Sequence, residues 1–192
     1  ISVISLFLFA PALLLYYAFA HDIIGLLFGD KWFQLIPYTR IMALIGIFIL
    51  LEIESAVFLS KGKAHTFFYL NLISRSIIII AISIGILYGI IQMLWFILAA
   101  YIINRAITLI YLKKMFELDV LIYIREMFIH LIYILITVLV GVVIIEGFNL
   151  NTYLNVILII ILYCTIILVG IKWIPLSAGN RIHNFYQFYK NK

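Results

Sequence analysis

Four charged residues lie inside long apolar runs: Glu52 and Glu54 in LIPYTRIMALIGIFILLEIESAVFLS, Arg75 in the next run and Arg105 in the one after. At the centre of a membrane-inserted helix such a residue costs about 2.5–3.5 kcal/mol, so it normally faces protein, water or a partner charge. Guanidiniums suit phosphates and carboxylates, while intramembrane carboxylates suit coupling ions and cationic side chains. Asn71 and Arg75 are four residues apart, as are Asn104 and Thr108, so each pair shares a helix face; Ser74 adds a hydroxyl. Glu52 and Glu54 are two apart and point about 200° away from each other on a helix, so both cannot serve one partner. Two roles compete for this layer. The acids neutralise the arginines and hold helices together, or some of the group line a polar cavity used by a substrate or coupling ion.

Depth favours treating these residues as one set. Arg75 lies nine residues from the start of its run, Arg105 eight from Lys113 and Glu52 eight before Ser60. At 1.5 Å per residue each sits about 12–14 Å from one boundary, near the middle of a core roughly 30 Å thick. Bond-making chemistry has little to work with. The chain has no Gly-rich phosphate loop, no His/Cys metal spacing and no Ser-His-Asp arrangement, so neither an enzyme nor a cofactor is expected. His21 directly precedes Asp22, but that pair alone is a weak signal. The residue five after His21 is Leu26, unlike the His-x4-Asp pattern of glycerolipid acyltransferases.

The elements that must position this layer follow from composition. The chain is 67% hydrophobic and 11% charged, far from the balance of soluble domains, and its apolar runs are continuous rather than alternating. The expected fold is an all-α integral membrane protein. Six spans are expected, at about 1–20, 35–60, 66–88, 90–112, 127–145 and 153–174, followed by a basic and aromatic tail over 175–192. Pro11 predicts a kink in the first span. Pro37 sits in the first turn of the second, where its missing N–H costs least. Spans five and six carry little beyond His130 and a few hydroxyls and read as peripheral. The single cysteine, Cys164, reads as a core residue, and the start at Ile1 inside an apolar run reads as a fragment lacking its upstream part.

Loop charges predict the orientation. Lys61, Lys63, Lys113, Lys114, Arg125, Lys172, Arg181, Lys190 and Lys192 are nine of the 13 basic residues and fall on alternate loops, against Lys31 opposite. The positive-inside rule puts the KGKAH turn and the C-terminus in the cytoplasm. Arg40, at the outer end of the second span, is expected to snorkel outward. The net charge of +5 is a loop property here, and no nucleic-acid partner is expected.

The run PALLLYYAFAHDIIGLLFGDKW, then a span, then LSKGKAH, resembles the C-terminal half of bacterial polysaccharide-unit flippases of the multidrug/oligosaccharidyl-lipid/polysaccharide exporter superfamily. A Pro-containing helix leading into an "lfG-x-x-W" segment, a basic Gly turn at Gly62 and Lys63, and a tight turn at Tyr88-Gly89-Ile90 carry the likeness. It covers about Leu6 to Lys114, and the turn departs from the family in reading GIIQ where a second Gly is common. The resemblance implies most of the C-terminal lobe of a twelve- to fourteen-span exporter. Such an exporter moves a polyprenyl-diphosphate-linked sugar unit by alternating access, together with a missing N-terminal lobe and the surrounding lipids. It implies Arg75 and Arg105 as candidate substrate-binding residues, within an intramembrane network of Glu52, Glu54, Arg75, Arg105, Asn71 and Asn104. A multidrug or small-molecule exporter of the same superfamily and a polyprenyl-handling membrane transferase are the alternatives.

Overall fold

The computed structural model describes residues 2–50, 58–59, 61–116, 120–147 and 154–168, and regular structure among them is helical throughout. α1 (Ser2–Ala18) leads into a short α2 (Ala20–Phe28), a 3-10 helix (Asp30–Leu35) and α3 (Ile36–Leu50). α4 (Ala64–Gly85) and α5 (Ile90–Phe116) form a hairpin through a 3-10 turn at Ile86–Tyr88. α6 (Val120–Gly147) and α7 (Leu154–Leu168) complete the described series. Among the described residues, three helical runs, Asp30–Leu50, Ala64–Tyr88 and Ile90–Met115, are long and apolar enough to cross a membrane. The bent pair α1–α2 makes a fourth if it is taken as one span. Glu52, Glu54 and the C-terminal residues 169–192, with the tail they include, lie outside the described residues.

Contacts between named residues set the order and direction of the helices. α4 packs on α5, α5 on α3, α3 on α1, and α1 on α6. Leu13 covers Gly46 and Tyr17 meets Arg40, so α1 and α3 run antiparallel. Gly85 abuts Met93, and Asn104 reaches Ser74 further along, so α4 and α5 are antiparallel as well. Ile41 and Ile45 of α3 meet Leu94 and Leu98 of α5, a parallel pairing that follows from the reversed helix between them. α6 and α7 pack instead against α1, where Ile134, Val138, Ile159 and Ile166 close on Ala10, Leu15 and Phe19. Of the hairpin, α6 touches α5 only slightly.

The first helix departs from expectation. α1 continues through Pro11, and the sharp bend comes eight residues later, where α2 turns by 84° from α1. Proline removes one intrahelical bond and crowds the preceding turn, which ordinarily bends a helix. Here Pro11 is fully buried, and the Tyr163 hydroxyl of α7 donates to the Leu8 carbonyl at 2.9 Å, so a neighbouring helix supports the weakened turn. At the bend, an ending helix leaves its last carbonyls without intrahelical donors. Arg40 Nε donates to the Tyr17 carbonyl at 3.0 Å, and the guanidinium carbon lies 5.7 Å from the Tyr17 ring centroid. Arg40 therefore reaches across to the end of α1. Replacing Arg40 by Ala is expected to lower the unfolding free energy in mixed micelles by about 1–2 kcal/mol, with Arg40→Lys recovering part of it. Equal stability of all three proteins would show that the bend stands without this bond.

At the opposite end of the bundle, Lys63 N–H donates to the Phe58 carbonyl at 2.8 Å and Gly62 N–H to the Leu59 carbonyl at 3.0 Å. With Gly62 at φ +67°, this is a Schellman termination, which needs a left-handed residue that glycine adopts at least cost. Phe58 is fully buried there, stacked on Phe67 and packed with Leu70 and Leu112. Lys61, Lys63, Lys113 and Lys114 gather at this end, and Lys31 follows α2 at the other.

Candidate functional site

The α4–α5 hairpin contains a cavity of about 250 Å³, closed on its third side by Phe48 of α3. α4 contributes Phe67, Leu70, Asn71, Ser74, Arg75 and Ile78, positions that recur every three to four residues and so share one face. α5 contributes Tyr101, Asn104, Arg105 and Thr108 by the same spacing. Arg75 stands eleven residues beyond Ala64 and ten before Gly85, at the middle of its helix. Of the candidate residues read from the sequence, Asn71, Arg75, Asn104 and Arg105 come together around this cavity, with Ser74 and Thr108 beside them.

Hydrogen bonds pin the neutral polar groups. Asn71 Nδ2 donates to the Phe67 carbonyl at 3.1 Å and Thr108 Oγ1 to the Asn104 carbonyl at 3.0 Å, both back-bonds within one helix. Asn104 does something different. Its Nδ2 crosses to the Ser74 carbonyl at 3.2 Å and ties α5 to α4. The side chain is 5% exposed, and among the described residues its Oδ1 has no hydrogen-bond partner.

The two arginines differ in setting. Arg105 has Nε and Nη1 buried between the helices. Arg75 is exposed along the cavity rim and forms no ion pair among the described residues. Two guanidinium cations with amide, hydroxyl and phenol groups can hold an anion that also carries hydrogen-bonding substituents. The described lining has no carboxylate, imidazole or thiol. The cavity has room for several waters or one compact head group.

Phe48 and Tyr101 escape a reading based on polarity and charge. Tyr101 carries a usable signal, because it lies three, four and seven residues before Asn104, Arg105 and Thr108. Phe48 carries none, since only packing brings α3 against the hairpin. A second polar group stands at the far end: Asn155 Nδ2 meets Asp22 Oδ2 at 3.4 Å, and His21 Nδ1 lies 3.8 Å from Asp22 Oδ1. Among the described residues no three His, Cys, Asp or Glu side chains gather as metal ligands would. Compared with known proteins, the chain matches no family model, no curated sequence and no solved structure.

Proposed function

We propose that this chain is the C-terminal part of a multi-pass inner-membrane exporter that moves polyprenyl-diphosphate-linked sugar units for surface polysaccharide synthesis. The observation that carries the reading is the two-arginine cavity at mid-length of three long apolar helices. Those helices turn large apolar side chains outward: Met42, Ile49, Leu72, Ile79, Ile80, Trp95, Ile103 and Ile110 are all exposed. In water such surfaces would aggregate, whereas a bilayer solvates them. Arginines amid apolar helices then belong to a polar path rather than to lipid. The gathering of Lys61, Lys63, Lys113 and Lys114 at one end supports a cytoplasmic placement of that end, and of the C-terminus with it.

In this reading the cavity is half of a pathway. Exporters of this build place their site between two repeats near the midplane, so an N-terminal lobe supplies the facing wall and lipids surround both. A diphosphate head group brings the charge that Arg75 and Arg105 can compensate. The complete exporter is expected to restore surface polysaccharide in a flippase-deficient bacterium. Substituting Arg75 or Arg105 by Ala lowers that export at least about tenfold, the scale of a lost charge-assisted contact, while Lys172→Ala leaves it unchanged. Normal export by a stably inserted Arg75→Ala, Arg105→Ala double variant would remove the arginines from transport.

A further inference from the structure

α2 and the 3-10 helix that follows it are built unlike the rest of the chain. α2 has nine residues, about 13 Å of helix, less than half of a 30 Å hydrocarbon core. It leaves α1 at 84°, so it runs across the bundle axis while its neighbours run along it. Arg40 at the Tyr17 carbonyl and the Asn155–Asp22 contact hold it there from two sides.

Its apolar stripe is divided between two environments. Ala20 and Ile24, in the first half, are buried on the bundle. Leu27 and Phe28, in the second half, are 66% and 65% exposed, and Trp32 beyond them is 47% exposed. The stripe therefore overhangs the bundle edge, and Phe28 and Trp32 touch edge to face with centroids 6.4 Å apart. The other face is polar at His21 and Asp22, and Phe33 folds back to stack on His21 at 4.2 Å. Charges stand at both ends of the overhang, Asp22 before it and Asp30 and Lys31 after it.

We infer that the Leu27–Phe28–Trp32 overhang is a lipid-docking element that lies in the plane of the bilayer surface, at the boundary between head groups and acyl chains. This rests on the membrane part of the proposed function and is independent of the substrate. A course through the core would bury Asp22 or Asp30 in hydrocarbon, where a carboxylate is poorly tolerated. A course in water would leave Leu27, Phe28 and Trp32 wet. The interface alone suits both: a one-sided helix sinks its apolar edge by about 5–10 Å, and tryptophan favours that depth. Asp22, Asp30 and Lys31 leave the segment with one excess negative charge, so anionic head groups add no attraction. Docking is hydrophobic and insensitive to salt.

Tryptophan quenching by brominated lipids tests this. The chain has three tryptophans, so Trp95→Phe with Trp173→Phe leaves Trp32 as the reporter, and Trp32→Phe with Trp173→Phe leaves Trp95 on α5. Each protein is reconstituted in phosphatidylcholine vesicles brominated either at acyl carbons six and seven or at eleven and twelve. Trp32 is expected to be quenched about twofold more by the shallow bromines than by the deep ones, unchanged by salt or by added phosphatidylglycerol. Deeper quenching of Trp32 would make the bent pair a broken span and overturn the inference. No lipid quenching of Trp32, with Trp95 quenched, would mean water or protein covers the overhang and would overturn it while leaving the membrane reading intact. No quenching of either tryptophan would overturn both. Should the tryptophan variants not fold, Leu27→Cys in a Cys164→Ala background, labelled with an environment-sensitive dye, gives the same depth comparison.

Discussion

Replacing Gly85 by Leu is expected to open the α4–α5 hairpin and to give the largest loss of stability of any single substitution in this region. A Cβ built on Gly85 would lie 2.5 Å from Met93 Cα, an overlap with backbone that no rotamer change relieves. Either α5 moves away from α4 or the turn at Ile86–Tyr88 is rebuilt, and both disturb the cavity wall that Asn104 ties at Ser74. Overpacking typically costs about 1–3 kcal/mol, and a collision with backbone belongs at the upper end. In lipid, where apolar burial itself drives little association, close approach at a small residue matters more than it does in water. We expect the unfolding free energy in mixed micelles to fall by about 3 kcal/mol for Gly85→Leu and by less for Gly85→Ala. Gly147→Ala is the control, since its Cβ would meet nothing within 4 Å. Unchanged stability of Gly85→Leu would mean that the two helices do not approach as described.

If the chain works as the proposed exporter, Ser74→Leu is expected to abolish most transport while leaving the fold intact. The Ser74 side chain lines the cavity, whereas the bond to Asn104 uses its backbone carbonyl and survives the substitution. A leucine there fills cavity space that the proposed head group would need, without removing either cation. Export in the complementation assay should fall at least about tenfold with unchanged membrane levels, because the site loses volume and contact together. Ser83→Leu is the matched control. Ser83 is also on α4, exposed, and back-bonded to the Ile79 carbonyl at 2.9 Å, but it stands more than one turn beyond Ile78, the last α4 residue lining the cavity. Full export by Ser74→Leu would show that substrate does not occupy this space.

Much of this architecture is legible in single runs of residues. Continuous apolar stretches demand helices, because a backbone surrounded by apolar side chains must satisfy its hydrogen bonds within its own segment. The glycines at 62 and 89 mark the two turns because each position has positive φ, at +67° and +113°. Helical rise alone places Arg75 and Arg105 at similar depths, and the repeat of 3.6 residues puts Asn71 with Arg75 and Asn104 with Thr108. These are local properties, set by covalent geometry within one helix.

What local geometry leaves open is how each helix is rotated about its own axis and which neighbour it meets. Packing decided that Asn104 crosses to Ser74, that Arg105 is partly buried while Arg75 stays exposed, and that Phe48 closes the cavity. Each depends on close approaches between residues far apart in sequence, at Gly85 with Met93 and at Gly46 with Leu13. The bend shows the same division. Proline chemistry pointed to residue 11, yet Tyr163, more than 150 positions away, supports that turn, and Arg40 helps hold the break at residue 19. Local chemistry says which carbonyls a proline or a helix end leaves short of donors, and only the tertiary structure decides which of them are met from another helix.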